Sequence, residues 1–180
     1  METCTEGNCI YGRTYVPPRG PRLATYALVG EAPGARELQE GRPFVGPAGR
    51  ILASVMEAAG IAEEDVFYTN TTCCVDLTRK DRRPTPVEVA ACHPRLLQDI
   101  TQADPKIIIC VGNAAQEGFF PGLTIGRARG KLRSWQGRIV ISTYHPAALL
   151  PNRSPQLRDI VVDDLMLAKS MGDWISMKNG

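Results

Sequence analysis

The stretch KIIICV, residues 106–111, is apolar at every position after the first. An uninterrupted apolar run of this length, rich in β-branched residues, is typical of a central parallel strand that is buried on both faces. Three further short apolar runs occur along the chain: ATYALV at 24–29, VFYT at 66–69 and RIVIST at 138–143. Helical segments separate these runs. The pattern predicts an α/β fold, a three-layer α/β/α sandwich with a mostly parallel central four-stranded sheet.

The helical segments have recognisable starts and stops. An apolar stripe at 3–4-residue spacing begins at about Gly49 and ends at Gly60. A second helix is expected to begin where Thr85 caps it, with Pro86 at the first helical position and Glu88 three residues after the cap. A third opens at 112–113, and a last helix covers about 157–169. We expect residues 1–180 to form a single domain.

Polar residues follow the predicted strands, at Gly30-Glu31, Asn70, Gly112-Asn113 and His145. Ligands of parallel α/β sheets bind at the carboxyl ends of the strands, so these segments are expected to converge on a site. Around Glu31, two glycines and a proline form a tight turn, and glycine lets the backbone approach a ligand closely. Taken alone, this turn is equally consistent with an ordinary strand-to-loop connection.

Three blocks resemble the family 4 uracil-DNA glycosylases. The first is GEAPG at 30–34, then Glu37, then GRPFVGPAG at 41–49. The second combines Asn70, Cys74, PTP at 84–86 and AC at 91–92, and the third is TYHPAALL at 143–150. The resemblance covers nearly the whole chain. It implies a DNA glycosylase that hydrolyses the N-glycosidic bond of uracil in DNA and leaves an abasic site for base excision repair.

The resemblance also implies roles for individual residues. Glu31 and His145 would be catalytic: Glu31 positions water or stabilises an oxocarbenium-like sugar, and His145 hydrogen-bonds uracil O2 as negative charge develops. Asn70 would read N3–H and O4, because an amide both donates and accepts. Phe44 would stack on the flipped base, and Ala32 would border C5, where thymine carries its methyl group.

Other residues complete the expected binding surface. Gly30, Pro33, Gly34 and Glu37 join the substrate-binding set, and Leu150 and Arg153 are expected to contact DNA as a wedge or at a phosphate. Ordinary structural roles remain open for isolated residues of these types, such as core packing for a phenylalanine. Two basic clusters can neutralise phosphates, although solvated loops would look the same: Arg79, Lys80, Arg82, Arg83 and Arg127, Arg129, Lys131, Arg133.

Six cysteines in a chain without an export signal favour metal ligation over disulfides. The resemblance implies a [4Fe-4S] cluster, with ligands expected at Cys4, Cys9, Cys74 and Cys92. The family's C-x-x-C pair is altered here, because position 7 is glycine and the next cysteine is Cys9. The neighbouring Cys73 is a rival for Cys74, and zinc bound by four cysteines is a chemical alternative. The remaining cysteine, at position 110, lies in an apolar strand and is expected in the core.

Two other functions stay open: a glycosylase of the same fold acting on another deaminated or modified base, and a catalytically silent iron–sulfur DNA-binding protein. A related group forms a covalent adduct with DNA through a histidine in a basic loop. The corresponding loop here, LTRKDRRPT at 77–85, contains no histidine. No apolar run approaches the roughly 18–20 residues of a membrane helix. We expect a monomer that is cytoplasmic and nucleoid-associated, binds uracil-containing DNA, and is neither secreted nor bound to a membrane.

Overall fold

The computed structural model describes residues 3–5, 8–79, 83–150 and 155–179. Its sheet has the strand order β2-β1-β3-β5-β4. The first four strands in that order are parallel, and β4 pairs antiparallel with β5. The strands are β1 Tyr26–Gly30, β2 Val66–Asn70, β3 Ile107–Val111, β4 Arg133–Trp135 and β5 Arg138–Thr143; the helices are α1 Ala35–Glu40, α2 Pro47–Ala58, α3 Pro86–Ala103, α4 Asn113–Phe119, α5 Ile125–Ala128 and α6 Pro155–Asn179.

The sheet is buried between two layers of helices, as the apolar strands predict. Alternate strand side chains point to opposite faces. On one face, Leu28 and Ile109 pack with α2 and α6; on the other, Val29 and Ile108 pack with α3 and α4. Cys110 belongs to the second face and is fully buried, which confirms its expected place in the core. The three-layer α/β/α architecture is therefore confirmed.

The predicted count of four strands was wrong, because the sheet has a fifth. Strand β4 is only three residues long and partly exposed, so it has neither an apolar run nor a readable alternation. It is an antiparallel edge strand joined to β5 by a tight turn, in which Gln136 and Gly137 both have positive φ. Its Trp135 packs edge-on against Phe119, with ring centroids 5.0 Å apart.

The helices also depart from their predicted bounds in two places. Helix α1 precedes the first helix predicted from the sequence, which was expected to begin at about Gly49. Helix α6 continues ten residues past the expected end, and its last turns expose Trp174 and Met177. That exposed apolar surface breaks the inside–outside pattern on which the prediction depended. None of the helices in the described part of the chain combines the length and apolarity that crossing a membrane requires.

The carboxyl ends of the parallel strands meet at one edge of the sheet. Gly30 and Asn70 are direct partners in the β1–β2 register, and the Thr71 N–H donates to the Gly30 carbonyl at 2.8 Å. Across the sheet, the Gly112 N–H donates to the Thr143 carbonyl at 2.9 Å. All four predicted polar segments are thus brought to the same edge. Within the 112–113 segment, the Asn113 side chain accepts a hydrogen bond from the Ile125 N–H at 2.8 Å.

The predicted start of α3 is confirmed as a full capping box. The Thr85 hydroxyl accepts from the Glu88 N–H at 3.3 Å, and the Glu88 carboxylate accepts from the Thr85 N–H at 2.6 Å. Burial raises the pKa of Glu88, but hydrogen bonds from Thr85 and Arg13 outweigh it and hold the pKa at about 2. Arg13 also pairs with Asp76, so the cap joins the N-terminal segment to the loop before α3.

Replacing Thr85 by alanine is expected to lower the free energy of unfolding by about 1 kcal/mol, because the Glu88 N–H and the Glu88 carboxylate both lose their hydrogen bond with the Thr85 hydroxyl. Urea unfolding measures the change. Thr101→Ala is the matched control, since the exposed Thr101 hydroxyl donates to the Leu97 carbonyl, one turn earlier on the same helix. Equal effects of the two substitutions would contradict the capping role.

Candidate active site and cysteine cluster

A cavity of about 450 Å³ opens at the carboxyl edge of the sheet. Residues from four separate segments line it, from the loop after β1, the start of α2, the end of β2 and the segment after β5. Seven residues predicted from the sequence are among them: Ala32, Gly34, Glu37, Phe44, Asn70, His145 and Leu150. Positions more than a hundred residues apart in the chain therefore face the same open cavity.

Gly30 allows the Asn70 amide and the Phe44 ring to meet at the floor of this cavity. A β-carbon at position 30 would overlap the Asn70 Oδ1 and come within 2.6 Å of the Phe44 Cζ. Only glycine leaves that space empty. Asn70 is buried, whereas Phe44 is partly exposed to the cavity and tilted against Tyr68 with ring centroids 5.8 Å apart.

Glu37 holds the loop that carries Phe44. Its carboxylate is 8% exposed and accepts a hydrogen bond from the Gly46 N–H at 2.8 Å. The same carboxylate packs against Gly34, so it joins both ends of the segment around α1. Phe44 itself has a φ of +58°, a left-handed backbone conformation that is unfavourable for an aromatic residue. The Glu37 bond therefore helps to maintain the strained backbone at Phe44.

His145 is fixed in one orientation by its own backbone. Its Nδ1 accepts from the Ala147 N–H at 3.2 Å, so the proton of the neutral ring is on Nε2. Burial lowers the pKa of His145, and the charge of Glu31 offsets part of that effect. The side chain is half-buried. Near neutral pH this histidine is a neutral donor.

Behind His145, Asp164 fixes the end of β5. The Thr143 hydroxyl donates to Asp164 at 2.8 Å, and Arg129 pairs with the same carboxylate at 2.9 Å. Burial raises the pKa of Asp164, while the bonds from Thr143 and Arg129 act against it. Sequence reasoning missed this residue. Its signal is a carboxylate on the buried stripe of α6, between Val161 and Ala168.

The remaining predicted residues lie around the cavity without lining it. The Glu31 carbonyl accepts from the Thr72 N–H at 3.0 Å, and its charge acts on His145. Pro33 is buried in the turn. Arg153 lies outside the described residues, as do two members of the first basic cluster, Lys80 and Arg82. In the same cluster, Arg79 is engaged internally with Glu88 and Asp76.

Five cysteines form one buried cluster at the N-terminal side of α3: Cys4, Cys9, Cys73, Cys74 and Cys92. The sulfurs of Cys4, Cys73 and Cys92 lie within 4.8 Å of one another. A disulfide joins Cys9 to Cys74, contrary to the expectation that disulfides are absent. All four predicted ligands are therefore together, and the rival Cys73 is with them. Their burial and their sulfur donors suit a metal or an iron–sulfur cluster bound through four thiolates, which Cys9 or Cys74 can supply only when their disulfide is reduced.

Electrostatics near the cluster favour thiolate at one position. The hydrogen bond from Cys73 lowers the pKa of Cys92 to about 6, against the effect of burial. Arg95, which is 1% exposed, adds to that effect with its positive charge. Arg95 also donates to the Asn70 carbonyl at 2.5 Å. Sequence reasoning missed Arg95; its signal is an arginine on the apolar face of α3, one position before Leu96.

Comparisons with known proteins agree with this geometry. Residues 17–166 match the family model described as "Uracil DNA glycosylase superfamily". The type-4 uracil-DNA glycosylase of Thermotoga maritima is 43% identical over 94% of this chain and 90% of its own length. This chain belongs to the type-4 uracil-DNA glycosylase family. Relatives with the same name from Archaeoglobus fulgidus and Saccharolobus solfataricus are each 36% identical, over 91% and 88% of this chain and 83% and 76% of their own lengths.

In this type-4 family member, replacing Glu37 by alanine is expected to free the loop that carries Phe44. Loss of a buried, charged acceptor should destabilise the loop by roughly 1–3 kcal/mol. Hydrogen exchange at the Gly46 amide measures the change and should become at least about tenfold faster. Glu40→Ala, on the exposed side of the same short helix, is the control. Unchanged Gly46 exchange in the Glu37 variant would refute the anchoring role.

Proposed function

We propose that this chain is a uracil-DNA glycosylase that hydrolyses the N-glycosidic bond of uracil in DNA and leaves an abasic site. One observation carries the proposal: Phe44, Asn70 and His145 come from three distant segments and line the same cavity. A flipped base needs a stacking face, a group that reads its edge and a donor where charge develops. Those three side chains supply one function each.

Asn70 is proposed to read the uracil edge. Its amide accepts from N3–H and donates to O4, a pair of contacts that cytosine cannot reproduce. Mispairing at a buried amide can discriminate strongly between substrates, because its polar atoms are left unsatisfied. The position of Asn70 supports this role, since Arg95 donates a hydrogen bond to the Asn70 backbone carbonyl and Gly30 leaves space beside the side-chain amide.

His145 is proposed to stabilise the leaving uracil. As the glycosidic bond breaks, negative charge develops at O2, and the Nε2–H of a neutral ring can donate to it. The Ala147 N–H holds Nδ1 as an acceptor, which supports that tautomer. The Thr143–Asp164 bond supports the backbone that carries the ring. Catalysis by this group would come from a preorganised hydrogen bond rather than from proton transfer.

Glu31 is proposed to act on the sugar side of the bond. A carboxylate there can stabilise an oxocarbenium-like sugar and orient the attacking water. Ala32 and the backbone of the turn, including Pro33 and Gly34, are proposed to border C5. The Ala32 side chain and the turn backbone are proposed to crowd the methyl group of thymine, which is a weaker barrier than a bulky aromatic side chain would be.

The DNA itself is proposed to cross the mouth of the cavity. Leu150, at its rim, is the proposed wedge that fills the space left by the flipped base. Arg153 remains a proposed phosphate contact. All the proposed catalytic and substrate-binding residues come from one chain, which supports action as a single-domain monomer. A cytoplasmic location with the nucleoid is proposed because the substrate is there.

A [4Fe-4S] cluster is the proposed cofactor, held by Cys4, Cys9, Cys74 and Cys92, with Cys73 as the alternative to Cys74. Five buried sulfurs lie in one cluster, and sulfur donors of this kind can hold such a group. When bound, the cluster would supply a cross-link between the N-terminal segment, the loop after β2 and α3. Zinc remains the alternative ion, and metal analysis separates the two.

Two other functions are separable by one experiment. A panel of oligonucleotides containing uracil, thymine, cytosine or hypoxanthine, incubated with the purified protein, is scored for free base and abasic sites. Release of uracil alone supports the proposal. Release of another base in preference to uracil would favour a different specificity, and binding without release would favour a silent DNA-binding protein. Denaturing gels of the same samples would reveal a covalent adduct.

His145→Ala is expected to lower kcat for uracil release by about 10²–10⁴-fold without unfolding the protein. Because burial lowers the pKa of His145 below its usual 6.5, the neutral ring persists as the pH falls through 6.5. The acid limb of the wild-type kcat profile should therefore lie below pH 6.5. His93→Gln, which changes the other histidine, is the control and should keep the wild-type profile. Activity that rises on acidification would show that the protonated ring is the active form.

Serine substitution at Cys92 is expected to abolish iron binding, because this position belongs to the buried sulfur group. Iron analysis and the visible absorbance of the purified protein measure the loss. Cys110→Ser is the matched control, since that thiol is buried in the sheet core away from the cluster. Comparison of Cys73→Ser with Cys74→Ser identifies the fourth ligand as the one whose loss removes iron. Full iron content in the Cys92 variant would refute the ligand set.

A further inference from the structure

Arg95 occupies a position between the cysteine cluster and the base-reading asparagine. It is 1% exposed and lies three residues after Cys92 on α3. Residues three apart share one face of a helix, with β-carbons about 5–6 Å apart. Its guanidinium donates to the backbone carbonyls of Asn70 at 2.5 Å and Thr71 at 3.4 Å, and Thr71 lies two residues before Cys73.

Among the described residues, both terminal nitrogens of the Arg95 guanidinium have hydrogen-bond acceptors, whereas its Nε–H has none. Arg95 pairs with Asp99 one turn later on α3, and the Thr69 hydroxyl donates to the same carboxylate at 2.6 Å. The remaining Nε–H of Arg95 is buried and has no hydrogen-bond acceptor among the described residues. Buried donors of this kind normally have partners, so this one calls for an explanation.

We propose that Arg95 is a positioning residue that provides the counter-charge of the iron–sulfur cluster and links cluster binding to the placement of Asn70. The inference rests on the proposed cofactor and the proposed base reading. A cluster held by four thiolates is negatively charged, and a buried guanidinium beside it offsets that charge. The unpartnered Nε–H is then available to a sulfur acceptor, while the other nitrogens hold the end of β2.

The test uses the full-length, iron-loaded protein and three variants. Arg95→Met combined with Asp99→Leu removes both charges of the buried pair, which avoids leaving an unpaired carboxylate. Arg95→Lys keeps the charge but loses the planar fork that reaches two carbonyls. Arg138→Met is the control, because it removes a half-buried arginine that pairs with Asp104, and neither residue belongs to the cysteine cluster. Circular dichroism establishes that each variant is folded.

Two readouts separate the two halves of the proposal. In the double variant, cluster loss in the presence of a chelator should be about tenfold faster or more, and the midpoint potential should become more negative. KM for the uracil oligonucleotide should rise about tenfold with a smaller change in kcat. The lysine variant should retain the cluster but show the raised KM. The control should match wild type in both readouts.

If the cluster lifetime and the midpoint potential are unchanged in the folded double variant, Arg95 is not the counter-charge of the cluster. If KM is unchanged, Arg95 does not link cluster binding to the placement of Asn70. These outcomes differ from failure of the proposed function. A wild-type protein that holds iron but releases no uracil would refute the glycosylase activity and leave the cluster readouts to decide the counter-charge. A wild-type protein without iron would overturn this inference directly.

Discussion

The close approach of Asn70 and Phe44 across Gly30 is the constraint on which the site depends. It requires β1 and β2 to pair in parallel with Gly30 beside Asn70, because a shift of register would separate them. It also requires the absence of a side chain at Gly30. The Glu37 anchor on one side and the Arg95 bonds on the other then hold the ring and the amide in place. The cavity forms because these segments meet at the carboxyl edge of the sheet.

Buried charge has a supporting role throughout the molecule. Glu37 holds the loop of Phe44, Asp164 holds the strand that leads to His145, and Arg95 holds the end of β2. Burying a charge is costly unless it is paired and hydrogen-bonded, so each of these groups restricts its neighbours to few arrangements. Such restriction suits a proposed site that must preorganise donors around a developing charge rather than move protons.

Much of the architecture could be predicted from local patterns. The four parallel strands are apolar runs, and the cap at Thr85 follows a known spacing, so both are readable without tertiary information. The edge strand at 133–135 and the late turns of α6 are not, because one is too short and the other exposes apolar residues. The residues that line the cavity were predicted through the resemblance of three sequence motifs to a known family. Arg95 and Asp164 escaped notice because their partners are distant in sequence, and the association of Cys73 with Cys92 depends on side-chain direction.

The most direct measurement of the central claim is a crystal structure of the protein soaked with free uracil, the proposed product. The account predicts that the base stacks on Phe44, with N3 and O4 within about 3.2 Å of the Asn70 amide and O2 facing His145 Nε2. Uracil bound elsewhere would contradict it. So would uracil inside the cavity with its O4 edge turned away from Asn70.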